Sequence, residues 1–243
     1  MLYSDHNELN PDLLKGRGLS DWGAALPESP TRAWLLRLRL RSYDTLLKYQ
    51  LPTVPLKIMG LTALLRCDPS KWRTLKPPLY ALVEHAQTAG RPYFSAFGLS
   101  TQDLKEVAQN WHRQHGPEYR VLVAKQLEFS HEGAILAEPN GRTTIELVEG
   151  SVLPLSRGAV NPLVTAVRDE FLGTVRTSTS DYDLRIALAR TIHELPRIVL
   201  DDRLIPLPGY YEFGLFRAAN SDLLTPLFFE CRPNLEGDNS RAI

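Results

Sequence analysis

Two glutamates near the C-terminus carry the strongest chemical signal in this sequence. Glu212 lies in YYEFGLF and Glu230 in LFFECRPN, each an ionisable group inside an otherwise apolar stretch. A lone carboxylate in such surroundings loses its hydration without compensation. Either both side chains point to water as part of a Glu/Arg ladder, or they face a shared cation. If the two stretches pair as strands across the polar loop AANSD, both carboxylates project from one face. Hard oxygen ligands on adjacent strands suit magnesium bound to nucleotide phosphates. Asn234, four residues past Glu230, would add an amide oxygen, and Arg232 would share the face of Glu230 and stabilise a transferring phosphoryl group. Glu146 in TTIELVEG and Lys125 in LVAKQL invite the same treatment, Lys125 either meeting a phosphate at a strand end or lying at the surface. Arg66 closes the apolar run LTALLRCD, where a bidentate phosphate clamp and a structural salt bridge are both open readings.

The elements that must position these groups mix helices with hairpins. Ser29-Pro30 reads as a cap and first turn, and the following stretch to about residue 50 has helical spacing, with Leu36, Leu40, Tyr43 and Leu47 on one face. LTALLRCD reads as a buried strand, the residues after Pro77-Pro78 as a helix ending at Gly90, and Ser100 as the cap of another helix. Residues 119–127, 132–138 and 143–148 read as strands, with Asn140-Gly141 as a hairpin turn. Residues 162–175 and 182–192 read as helices, and YYEFGLFRA and LTPLFFECRP as antiparallel strands. The expected class is α+β with antiparallel sheets. The divisions are an arm at 1–42, a first lobe at 43–125, a second at 126–233 and a tail at 234–243.

Composition sets limits on the partners. The 243 residues hold 28 Lys and Arg against 28 Asp and Glu, so no global field favours nucleic acid or an anionic membrane. The Arg-rich stretch 32–41 with Trp34 is the one segment that suggests such a surface, and neutrality weighs against it. The only cysteines, Cys67 and Cys231, make no disulfide framework or zinc site. His112 and His115 read as a solvated helix terminus rather than a metal pair. With no apolar signal core or membrane-length run, the expectation is a soluble cytoplasmic protein. P-loop, GxGxxG, HExxH and GxSxG patterns are absent.

In order along the chain, LLRCDPS (64–70), VLVAKQLEFSHEGAILAEP (121–139), TTIELVEG (143–150), LSRGAVNP (155–162), YYEFG (210–214) and FFECRP (228–233) resemble the ATP-grasp nucleotide-binding domain of phosphoenolpyruvate synthase, pyruvate phosphate dikinase and rifampin phosphotransferase. The resemblance spans about residues 43–233 and implies two lobes with antiparallel sheets and flanking helices. It implies that Arg66 contacts phosphate, that the Gln126 backbone meets adenine at the hinge, and that Glu212 ligates metal. Arg232 matches the Arg of the family's closing QaRP. Glu230 stands where the family has Gln, and the ECRPN run is similar to the E-x-N metal motif of other ATP-grasp enzymes. ATP and Mg²⁺ are the implied cofactors. The departures are Ala124 at the family's hinge Gln, Asp68 at the second Ser of Arg-Ser-Ser, and the lack of both a GGKGxNL segment and a GGxxSH carrier motif. The resemblance therefore implies a phosphotransferase or ligase acting on a small molecule or partner protein in trans, or a degenerate nucleotide-sensing or scaffolding subunit without turnover.

Overall fold

The computed structural model describes residues 39–68, 75–86, 94–156, 159–200, 202–218 and 221–233. The expected cap at Ser29-Pro30, the stretch 32–38, Gly90 and Asn234 lie outside them.

Two antiparallel sheets organise the chain. The smaller contains β1 (Leu56–Gly60), β2 (Leu79–His85), β3 (Phe94–Leu99) and β4 (Tyr119–Lys125), in the order β1-β4-β2-β3. The larger has the order β12-β11-β5-β6-β7-β8, from β5 (His131–Ala137), β6 (Arg142–Glu149), β7 (Val164–Asp169), β8 (Thr174–Thr177), β11 (Gly209–Arg217) and β12 (Leu224–Pro233). A separate hairpin pairs β9 (Arg197–Leu200) with β10 (Arg203–Pro206). The α+β class with antiparallel sheets is the one expected from sequence.

Helices cover one face of each sheet. On the small sheet, α2 (Leu61–Arg66) and α3 (Thr101–His115) bury Leu61, Leu64, Leu104 and Trp111 with Leu79, Ala81, Val83, Val121 and Val123. Ser100 caps α3 in a reciprocal box with Asp103, as its sequence predicts. On the large sheet, α1 (Arg39–Lys48) and α5 (Tyr182–His193) cover Ile135, Ile145, Tyr211, Phe213 and Phe228 with Tyr43, Leu46, Leu184, Leu188 and Ile192. A short α4 (Leu153–Ser156) sits with Val148, Val152 and Phe229 in a minor apolar cluster.

Three assignments change. LTALLR is helix α2 rather than a strand, because a short apolar run buried on one side carries no period that separates the two states. The residues after Pro77-Pro78 form the central strand β2, buried on both faces, where an unbroken apolar run is natural. Residues 162–175 form most of the β7–β8 hairpin, with Val164 and Ala166 alternating inward and Gly173 at φ +60 in the turn. Helix α1 packs on β12, with the Cys231 amide donating to Ser42 Oγ at 2.9 Å, and reaches the small sheet through the Asp44–Arg120 ion pair.

Candidate active site

Position along the large sheet decides what the glutamates share. Glu230 lies opposite Glu212, Glu212 opposite Ala134, Ala134 opposite Glu146, and Glu146 opposite Thr165. Residues opposite one another share a face. Glu230, Glu212 and Glu146 therefore stand on the face away from the main core, with Glu146 about 10 Å from Glu212 across two strand spacings.

A bulge makes this arrangement. Phe213 pairs with Phe228 and Glu212 with Glu230, so Phe229 is the extra residue on β12. Strict alternation would put Glu230 on the core face with Phe228, two positions earlier. The extra residue turns it out to meet Glu212, and returns Cys231 to the core opposite Tyr211. The sequence LFFECRP carries no mark of this bulge, which only the register reveals.

Both carboxylates are buried, with Glu212 4% and Glu230 1% exposed. Each has a partner from the neighbouring rung, where Tyr210 lies opposite Arg232. The Tyr210 hydroxyl donates to Glu212 Oε1 at 2.8 Å. Arg232, itself 5% exposed, forms an ion pair with Glu230 Oε1. Burial and the Glu212 carboxylate push the Tyr210 phenol well above its ordinary range, so it stays an O–H donor at neutral pH. Sequence reading missed Tyr210. The period-two spacing in YYEFG was the available signal, since Tyr210 and Glu212 share a face.

A cleft of about 470 Å³ lies between the sheets; Glu146, Glu212, Glu230 and Arg232 do not line it. Glu132, two residues before Ala134 on β5, lines it and accepts the Val152 amide at 2.8 Å. Lys125 and Gln126 line it at the crossing from β4 to β5. Lys125 is exposed. Gln126 is held on both sides: its amide donates to Pro78 O at 2.9 Å and its Oε1 accepts the Gly98 amide at 2.6 Å. The Gln126 N–H is thus engaged by the neighbouring backbone. Aromatic side chains dominate the walls, with Tyr80 and Phe97 at 4.9 Å between centroids on the small sheet and Phe129 and Phe229 at 6.1 Å beside the large one. Sequence reading missed all four, since nothing in one chain marks an aromatic as cleft-lining.

Arg66 does not join this group. It is the exposed last residue of α2, a helix packed with the side of the small sheet that holds Val121 and Val123, and it does not line the cleft. Its reading at a strand end fails with the strand itself. The histidines form no pair: His112 reaches Thr62 Oγ1 at 3.4 Å, and His115 stacks on Phe94 at 4.1 Å.

Gly214 shapes the cleft wall. A Cβ there would fall 2.4 Å from the Phe129 ring. Gly214→Ala is expected to drive Phe129 into the cleft and weaken ligand binding by about tenfold, with a stability loss of about 1–3 kcal/mol. Titration of a fluorescent nucleotide beside a urea melt checks both.

No protein-family model and no curated protein sequence matches the chain. Among solved structures, it is similar to an L-amino acid ligase from Bacillus licheniformis, at 14% identity and a TM-score of 0.44, covering 90% of this chain and 48% of that one. It is also similar to a D-alanine–D-alanine ligase from Helicobacter pylori, at 8% identity and 0.44, covering 85% and 56%. A third, D-alanine–D-alanine ligase from Bacillus anthracis complexed with ATP, gives 8% and 0.42, covering 80% and 55%. The chain spans about half the length of these structures. Likeness at this level carries no inference about activity. Among the described residues, no helix is long and apolar enough to cross a membrane.

Proposed function

We propose that the chain binds a nucleoside triphosphate, ATP, with its base in the aromatic cleft and its phosphates toward the Glu212–Glu230 pair, and uses it in a ligase or phosphotransferase reaction. The observation that carries this reading is the in-register pair of buried carboxylates on the sheet face that also bears Glu132, a residue of the cleft wall. The ordered sequence segments that resemble the ATP-grasp domain support it.

The donor set fits magnesium in its oxygen chemistry. Among the described residues no cluster of three or more His, Cys, Asp or Glu side chains gathers, so water and phosphate oxygens would complete the shell, as this ion prefers. Glu212 and Glu230 would hold it, with Asn234 a further donor. When bound, the ion neutralises phosphate charge. The chain's own groups do the rest. Tyr210 fixes Glu212, the aromatic walls exclude water from the base, and Lys125 at the cleft and Arg232 beside the pair supply positive charge to the phosphates. Glu146, farther along the same face, would contribute to holding the nucleotide. The terminal phosphoryl group would pass to an acceptor oxygen, with ADP leaving. In a ligase that acceptor is a carboxylate, and an amine then displaces the phosphate.

Incubation with ATP and pooled carboxylate and amine metabolites, read by ADP release, tests this. Turnover that falls about a hundredfold or more in Glu212→Gln is expected. Unchanged turnover in that variant overturns the mechanism. The Arg232–Glu230 ion pair favours a second reading, in which the chain senses nucleotide without turning it over. Binding of Mg-ATP by calorimetry without ADP release under any pool would select it.

A further inference from the structure

We infer that Arg232 is the resident counter-cation of the Glu212–Glu230 pair and bars a free divalent ion from it. The inference deepens the nucleotide reading and rests on it for the anion that relieves Arg232. The guanidinium contacts Glu230 from the next rung of the ladder, and the two side chains are 6% and 2% exposed. Tyr210 meanwhile holds Glu212 with a neutral O–H group. Among the described residues, two carboxylates, one guanidinium and the Tyr210 phenol meet here, in a place poor in water.

A bare divalent ion arriving here meets a positive group already in contact with its ligand. It must separate a buried ion pair, which is costly at such burial. An ion that arrives on a triphosphate brings its own remedy. Guanidinium matches phosphate oxygens as well as it matches carboxylate, so the phosphates can accept Arg232 as Glu230 turns to the metal. This is an exchange of ion-pair partners, and no covalent bond changes. Arg232 then makes metal entry conditional on nucleotide and, once moved, sits on the phosphates.

Mn²⁺ as a probe, followed by electron paramagnetic resonance, tests this on the full chain without nucleotide. The wild-type protein is expected to show no Mn²⁺ site sensitive to Glu230→Gln. Arg232→Met is expected to raise Mn²⁺ affinity by about tenfold or more, and Arg232→Met combined with Glu230→Gln to lose that gain. Equal Mn²⁺ affinity in wild-type and Arg232→Met protein overturns the inference. If Arg232→Met does not fold, the wild-type measurement still decides, because Mn²⁺ bound there alone and lost in Glu230→Gln overturns it directly. Trinitrophenyl-ATP titrated with Mg²⁺ separates the two claims: its failure to bind defeats the nucleotide reading, while Mn²⁺ alone judges Arg232.

Discussion

Glu230→Ala is expected to destabilise the fold by about 3–5 kcal/mol, because it leaves the Arg232 guanidinium buried with its ion-pair partner removed. A sequence reading of a metal ligand predicts lost turnover with an intact fold, and the buried pair alters that expectation. Glu230→Gln keeps the shape and an acceptor oxygen, so its stability loss should be smaller than that of alanine, while any role in holding a cation is still removed. Combining Glu230→Ala with Arg232→Met should recover much of the loss, since the orphaned charge is gone. Urea unfolding of the four proteins measures this. If Glu230→Ala falls within about 1 kcal/mol of wild type, as exposed ion pairs do, the pair contributes no buried electrostatics.

Phe228→Ala is expected to cost about 3–5 kcal/mol, the range for deleting a fully buried aromatic ring. Its side chain is fully buried and packs with Phe213 at 6.0 Å and Tyr211 at 6.4 Å between centroids. Its amide donates to Pro52 O at 2.7 Å, tying β12 to the segment that follows α1. The effect should appear as a lower denaturation midpoint with an unchanged slope. Because Phe228 lies on the core face, residual nucleotide affinity per folded molecule should stay near wild type. The two variants thus separate the layers: Phe228→Ala acts on stability, and Glu230→Gln acts on the site.

The β5–β6 hairpin, residues 131–149, was legible because its strands alternate and Asn140-Gly141 marks the turn, where Gly141 takes φ +79. Helix α3 was legible through its cap at Ser100. By contrast, β2 and α2 were misread because an apolar run buried by tertiary neighbours loses the period that names its state. The joint placement of Glu212 and Glu230 could be expected from strand pairing, but its true cause could not, since alternation alone sends Glu230 inward. Arg232 was visible as the same-face neighbour of Glu230 two residues along one strand, whereas the near-complete burial of both groups comes from the fold. The cleft aromatics come from α1, β2, β3, β12 and the crossing after β4, and only the folded chain brings them together.

The supernumerary Phe229 sets the phase of everything after it on β12. Removing that one residue would leave a plain ladder, with Phe228 still opposite Phe213, Glu230 still opposite Glu212 and Cys231 still opposite Tyr211. The acid would keep its place, and the loss would fall on the Phe229 ring, which fills the cleft wall and packs with Val152. A deletion here is therefore expected to spare the acidic layer and open the wall beside it.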